Sequence, residues 1–323
     1  MKAMTGDLPT RPEEWAFEIK WDGMRAIATV VDGAVTFTST NLIDVTASFP
    51  ELAKLADALG GREAVLDGEI VAFDDDGRPS FSAVQYRMHQ PDPLVATHRA
   101  AEVPVVYIAF DLLWFDGLDA MSLPYTYRRK LLAELLEDGP NWQAPDYVVG
   151  KGEQLLEAAR MRDLEGVVAK RLDSTYQPGR RAQTWRKIKI RHQQELVVGG
   201  WIPGHGRSRH LGSLMVGYFD EARAVGPLRW AGNVGSGFSN RDLRLLGTLL
   251  RDLETPGCPF DPVPAGRFAT GARYVRPELV IEVAFSEWTP GGRLRHPSFL
   301  GLRSDKRPEE VVREVSPTRR SST

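Results

Sequence analysis

Cysteine is almost absent: Cys258 is the only one in 323 residues. That excludes a disulfide framework and any four-cysteine zinc site, and it suits a reducing compartment. Long apolar runs are missing too. The longest, near Val103 to Phe110, falls far short of the ~20 residues that cross a bilayer, and the N-terminal stretch lacks the apolar segment of a secretory signal. A cytoplasmic protein without a membrane partner is the expectation. No Gly-x-x-x-x-Gly-Lys-Ser/Thr loop occurs, and Gly232-Asn-Val-Gly-Ser-Gly237 does not fit the dinucleotide pattern, which argues against a P-loop kinase or a Rossmann enzyme. The histidines (His89, His98, His192, His205, His210, His296) show neither ligand spacing nor a triad context.

Net charge is also small, −2, but its distribution is uneven. Between Tyr176 and His210 stand Arg180, Arg181, Arg186, Lys187, Lys189, Arg191, Arg207 and Arg209 against a single acid, Glu195. Such a stripe fits a polyanionic partner, and on charge alone it fits a solvated basic face equally well.

Hydrophobic periodicity divides the chain into two textures. To about residue 190, strand-like runs (Phe17–Trp21, Ala64–Phe73, Val105–Leu113, Gly166–Arg171, Trp185–Ile190) mix with helical stretches (Phe49–Leu59, Tyr127–Leu136, Glu153–Met161), which reads as an α+β domain. From Glu195 onward short β runs (Leu196–Trp201, Leu214–Phe219, Leu228–Val234, Val280–Ser286) alternate with Gly/Pro-rich turns around one helical insert, Asn240–Leu253. A small barrel of the oligonucleotide-binding (OB) type is expected there. The expected division is 1–191, 192–316 and a polar, disordered tail at 317–323.

Chemistry concentrates in Ala16-Phe-Glu-Ile-Lys-Trp-Asp-Gly-Met-Arg25. At a strand period of two, Glu18, Lys20 and Asp22 share one face while Phe17, Ile19 and Trp21 point to a core, and Gly23 turns the backbone. A nucleophilic lysine must be neutral, and its ordinary pKa of ~10.4 leaves almost none neutral at pH 7. The flanking carboxylates make this worse, so a divalent metal or other lysines must converge on Lys20 if it reacts. Leu66-Asp-Gly-Glu-Ile-Val71 places Asp67 and Glu69 on one strand face around a glycine that permits close approach. Glu165-Gly-Val-Val-Ala-Lys170 adds a carboxylate before a strand and a lysine within it. Carboxylates without His or Cys suit Mg²⁺ or Mn²⁺, although each pair alone reads more readily as an exposed turn at a strand end. In Trp185-Arg-Lys-Ile-Lys189 two ammonium groups share a strand side, which fits an intervening phosphate or a lysine-blunted edge strand.

Taken in order, these segments resemble the collinear motifs of the covalent nucleotidyltransferases, the superfamily of ATP-dependent DNA ligases, RNA ligases and mRNA capping enzymes. Glu18 to Arg25 resembles the nucleophile motif, Asp67-Gly-Glu69 the third, and Phe110-Asp-Leu-Leu113 the aromatic motif after it. Glu165 to Lys170 resembles the fourth, Trp185 to Lys189 the fifth, and Arg295-His-Pro-Ser-Phe299 through Arg303-Ser-Asp305-Lys306 the sixth. Tyr176-Gln-Pro-Gly-Arg180 and Trp288-Thr-Pro-x-Gly-x-Leu-Arg295 are most similar to the ligase module of bacterial end-joining DNA ligases.

The resemblance implies an adenylation domain of antiparallel sheets flanked by helices, followed by an OB-fold barrel. It implies ATP and Mg²⁺ or Mn²⁺ as cofactors and nicked or broken duplex DNA as partner, with end-joining or repair proteins as further partners of a monomer. It also implies three steps: Lys20 takes AMP from ATP, AMP passes to a nick 5′-phosphate, and the 3′-OH displaces it. Glu18 would contact the adenine amino group beside Ile19, Phe110 would stack on the base, and Arg25 would contact ribose or the nick phosphate. Glu69 and Glu165 would hold the metal, Lys187 and Lys189 the α-phosphate, with Lys170 nearby; Asp22 belongs to the catalytic set. Arg303, Asp305 and Lys306 would orient pyrophosphate, which demands domain closure about Arg191–Gln194. The DNA-facing set is Arg25, Thr40, Arg180, Arg181, Arg207 and Arg209. Thr40 stands where the family usually has Arg, and Leu42 where Gly is common, so weaker nick binding is expected. The rivals are an RNA ligase, a GTP-using capping enzyme and, from a different class, a non-catalytic DNA-repair scaffold. NAD⁺-dependent ligases are disfavoured because their four-cysteine zinc module is missing.

Overall fold

Hydrophobic burial collects in separate cores on either side of residue 190. The computed structural model describes residues 1–88, 90, 92–190, 192–204, 211–220 and 226–314, and its chain divides at Ile190/Arg191 into two units. Among the described residues no helix is long and apolar enough to cross a membrane.

The first unit contains strands β1 (Lys2–Thr5), β2 (Trp15–Ile19), β3 (Met24–Val31), β4 (Ala34–Ser39), β5 (Ala64–Ala72), β6 (Val105–Phe115), β7 (Leu118–Asp119), β8 (Trp142–Gln143), β9 (Val148–Val149), β10 (Gly166–Arg171) and β11 (Arg181–Lys189). Its helices are α1 (Leu55–Ala58), α2 (Phe81–Arg87), α3 (Pro93–Glu102), α4 (Tyr125–Leu135) and α5 (Gly152–Met161). One sheet runs β1-β11-β10-β2-β9 and the other β4-β3-β5-β6-β7, with β8 added along β6. Pairing is antiparallel, as expected, except at β1–β11 and β6–β8, which are parallel. Both exceptions join strands far apart in sequence, where no hairpin dictates direction.

Strand alternation decides which side chains meet. Met24, Ala26, Ala28 and Val30 of β3 enter the main core with Phe37, Leu66, Ile70 and Tyr107. On the other sheet Phe17, Val167, Ala169 and Ile188 pack toward α5. The opposite faces of the two sheets meet through a small cluster of Met1, Leu113, Tyr176, Ala182 and Trp185 with Ile27, Val65 and Phe110. The chemistry-bearing residues lie around that cluster.

Three expectations needed correction. The run read as one helix at Phe49–Leu59 is a 3₁₀ segment, Pro50–Lys54, leading into α1. Phe49, Leu52 and Leu55 are buried at intervals of three, the period at which 3₁₀ side chains eclipse. Strand β2 ends at Ile19, so Lys20 to Gly23 form the passage to β3 rather than a continuing strand. Trp21 therefore leaves the Phe17 core and packs edge-on against Phe73, with ring centroids 6.5 Å apart. Strands β1, β3, β4 and the two-residue β7, β8 and β9 were missed, as were α2 and α3; β1 is four residues long and all of them are half-buried, so it carries no alternation to read.

The second unit contains β12 (His192–Ile202), β13 (Ser213–Tyr218), β14 (Arg229–Val234), β15 (Glu254–Thr255), β16 (Arg273–Val275), β17 (Val280–Phe285), β18 (Glu287–Trp288), β19 (Leu294–Arg295), β20 (Ser298–Leu302) and helix α6 (Asn240–Asp252). Strand β12 pairs with β13 and β17, β13 with β14, and β17 with β20. The Phe299 amide donates to Ser236 O at 2.9 Å, and Phe299 stacks on Phe238, which brings β20 round toward the end of β14. This five-strand circuit, with α6 between its third and fourth strands, is the barrel that the sequence led us to expect. Ser239 and Asp242 form a reciprocal capping box at the start of α6, and Leu246 and Leu250 bury its inner face. The expected tail at 317–323 lies outside the described residues.

Candidate active site

Lys20 is held by its backbone before its side chain acts. Its amide donates to Gly166 O at 2.9 Å, which ties the passage after β2 to the start of β10. Gly23, at the other end of the passage, needs no left-handed backbone; a Cβ there would sit 2.3 Å from Ile70 O and 3.0 Å from Glu69 Cγ. The chain bends at Gly23 as expected, and the glycine also serves close approach to β5, which sets Glu69 beside this passage.

The Lys20 ammonium donates to Glu165 Oε2, and Lys189 Nζ lies 3.7 Å from Oε1 of the same carboxylate. Burial works to lower the Lys20 pKa, but Glu165 outweighs it and holds the group above the ordinary lysine range, with Lys189 opposing and Asp22 reinforcing. Burial would raise the Glu165 pKa, yet Lys20, Lys189 and Lys187 together hold it below the usual glutamate range. Lys187, Lys189 and Trp185 share one side of β11, opposite Ile188, as their spacing requires. Arg186 turns to the other side, over the Trp15 ring at 4.8 Å, so the basic stripe is split between two faces.

Glu18 is buried beside this pair. Tyr125 donates its hydroxyl to Oε1, and Lys170 Nζ lies 2.7 Å from Oε2. Lys170 also sits 4.4 Å from the ring centroids of both Phe110 and Trp185. Burial drives its pKa below the ordinary lysine range, with Glu18 opposing. Phe110 owes its direction to β6: Asp67 faces Asp111 and Gly68 faces Ala109, so Phe110 stands on a bulge that turns it toward Trp185, 6.2 Å between centroids. Gly68 is required because the Tyr107 ring lies where its Cβ would be.

Asp67 is fully buried and receives Arg25 Nε at 2.9 Å and the Tyr176 hydroxyl at 2.8 Å. Arg25 pairs with Asp67 and lies over the Phe110 and Trp185 rings, at 5.5 and 5.9 Å. Burial alone would raise the Asp67 pKa, but Arg25 and Tyr176 hold it below the ordinary aspartate range. Ile19 packs its side chain with Trp15 and Phe17, away from Glu18, because it is odd in the β2 alternation.

Helix α4 supplies residues that sequence reasoning missed. Arg128 donates to Asp111 through Nε at 2.6 Å and Nη2 at 2.9 Å, and to the carbonyls of Leu123 and Ser174. Arg129 donates to the carbonyls of Ala109 and Pro145. Their spacing from Leu132 and Leu135 was the available signal: Arg128 and Arg129, with Tyr125, fall on the face that the helix period assigns to the core.

The residues are suited to a polyphosphate and a divalent cation. Glu165 Oε1 is buried without a hydrogen-bond donor, an acceptor that a cation would satisfy. Among the described residues no three His, Cys, Asp or Glu converge, so Glu69 and Glu165 could hold Mg²⁺ or Mn²⁺ only with phosphate oxygens and water completing the shell. Thr40 is exposed, in a turn where Leu42 adopts φ +61°, the conformation that explains a common Gly there. Arg180 and Arg181 are exposed; Arg207 and Arg209 lie outside the described residues.

In the second unit Arg303 is buried and fully engaged, with Nη1 2.6 Å from Glu282 and Nε and Nη2 each 2.9 Å from Asp305. The guanidinium thereby braces β17 against the chain after β20. Lys306 Nζ lies 3.5 Å from Glu195.

Comparison with known proteins agrees with this geometry. Residues 2–189 match the ATP dependent DNA ligase domain, and residues 207–306 the ATP dependent DNA ligase C terminal region. The chain is 45% identical over 306 residues to the multifunctional non-homologous end joining DNA repair protein LigD of Mycobacterium tuberculosis, covering 94% of this chain and 38% of that protein. It is 33% identical over 312 residues to a DNA ligase of Thermococcus fumicolans, covering 92% and 53%. The chain thus spans about two fifths of the length of the LigD proteins it matches. The solved structure of mycobacterial DNA ligase D complexed with ATP and MES has a TM-score of 0.67 at 42% identity, covering 97% of this chain and 98% of that one. With its family models, its collinear motifs and its paired sheets in agreement, the chain belongs to the ATP-dependent DNA ligases.

Proposed function

We propose that this chain seals 3′-OH/5′-phosphate nicks in duplex DNA through a lysyl-AMP intermediate on Lys20, as the ligase module of an end-joining system. The observation that carries the reading is the Lys20–Glu165–Lys189 cluster, which joins a constrained lysine to a buried carboxylate and a second cation. In the ligand-free arrangement Lys20 is charged and neutralised by Glu165. Glu69 and Glu165 would hold a divalent ion, whose positive charge would take the place of Lys20 as counter-ion to Glu165 and neutralise the α-phosphate. Lys20, released from Glu165, gives its proton to solvent water and attacks the α-phosphorus; a P–N bond forms, the P–O bond to pyrophosphate breaks, and pyrophosphate carries away the electron pair. Lys187 and Lys189 hold the charge that builds on the phosphoryl oxygens. AMP then passes to the 5′-phosphate and leaves when the 3′-OH closes the backbone.

Support for DNA as substrate comes from the family and from the barrel in the second unit. Similarity to LigD supports end joining and repair, and with it helper proteins at the break. Incubation with Mg²⁺ and ATP labelled on the α-phosphate is expected to label wild-type protein and leave Lys20→Ala unlabelled. Labelling by GTP alone would favour a capping-type enzyme, and sealing of nicks only with an RNA 3′-OH strand would favour an RNA ligase.

A further inference from the structure

Both oxygens of the buried Glu18 carboxylate are held by side chains that the steps above leave unused. Tyr125 donates to Oε1, and Lys170 Nζ is 2.7 Å from Oε2. Neither anchor is loose. Tyr125 begins α4, which Arg128 pins to Asp111 and to the carbonyls of Leu123 and Ser174. Lys170 is 2% exposed and donates to Phe110 O at 3.2 Å. A carboxylate offers about four lone-pair directions and no donor when ionised. Two are occupied here, and the twist about the last side-chain bond, ordinarily broad, is fixed.

We propose that Tyr125 is a positioning residue that sets nucleobase selectivity: it locks the Glu18 carboxylate as a fixed, acceptor-only edge for a purine carrying an exocyclic amino group. The inference rests on the reading that Glu18 meets the base. With Tyr125 gone, the carboxylate keeps only Lys170, swings about that contact, and loses its preference for an amino donor. A site built around a fixed acceptor rejects the analogue without the donor far better than a mobile one does.

The experiment measures kcat and KM of Lys20 self-adenylylation with ATP and with purine riboside triphosphate, in which hydrogen replaces the 6-amino group. Wild type, Tyr125→Phe and Glu18→Gln are compared, with thermal melting in parallel. In Tyr125→Phe the preference for ATP is expected to fall about tenfold, through KM, while the rate with the analogue stays near wild type. Equal losses with both nucleotides, or an unchanged ratio, would overturn the proposal, because a merely structural tyrosine moves both together. If Tyr125→Phe does not fold, Lys170→Gln removes the other charged anchor and is expected to lower the same ratio; an unchanged ratio there also overturns it. Glu18→Gln separates the two levels. A changed ratio there with an unchanged one in Tyr125→Phe overturns the positioning role alone, whereas an unchanged ratio in Glu18→Gln removes the base contact on which it rests.

Discussion

Asp67 illustrates how one buried carboxylate couples the site to pH. Burial would raise its pKa, and Arg25 with Tyr176 more than compensates, leaving it depressed. A carboxylate with a depressed folded-state pKa contributes stability that is complete above its unfolded value and is lost as pH falls through the folded one. Asp67→Asn is therefore expected to be less stable than wild type at pH 7, with a gap that narrows as pH drops below about 4. Urea denaturation of both proteins at several pH values checks this; a gap that widens toward acid contradicts it. Thr40 marks the opposite case, an exposed residue with room for a longer side chain. Thr40→Arg is expected to tighten nick binding by about 1.5–3 kcal/mol and to steepen the salt dependence by about one phosphate contact. Titrations of nicked duplex at several salt concentrations measure both. Lys20, Glu69, Glu165, Lys187 and Lys189 were readable as residues because their types and spacing carry the chemistry. The carboxylates that pair with Arg25 and Arg303 were not, since such partners lie dozens of positions away or across a strand pair.

At the level of elements, α4 carries the site through a buried ion pair. Arg128 and Asp111 are both completely buried, and their contribution is measured against the cost of leaving either one alone. Arg128→Ala is expected to destabilise by about 3–5 kcal/mol, because Asp111 is left in the core without its partner. Replacing both, as Arg128→Met with Asp111→Leu, is expected to recover most of that loss in thermal melts while nucleotide binds less well, because Tyr125, freed from its anchor, no longer fixes Glu18. Full nucleotide binding in the double variant would dissociate α4 from the site. The strands β5, β6, β10 and β11 were legible from alternation. The bulge that turns Phe110 was not, because a bulge is a mismatch between two strands and neither strand records it alone.

Across the whole molecule, the two units have separate cores and separate buried ion-pair clusters. Two-state unfolding is then not expected, and calorimetry should resolve two transitions. Arg303→Met, which leaves Glu282 and Asp305 without their guanidinium, is expected to lower one of them; ATP with Mg²⁺ is expected to raise the other through mass action. A single transition shifted by both treatments would contradict this.

Order along the chain determined the family, because collinear motifs need no coordinates. Strand periodicity likewise determined that Lys187 and Lys189 share a side, since alternation is a local property of the backbone. Tertiary structure decided which charge neutralises which. It set Lys20 on Glu165, Arg25 on Asp67, and Glu18 between Tyr125 and Lys170, because Coulomb energy depends on distance in space and sequence spacing fixes distance only within one element.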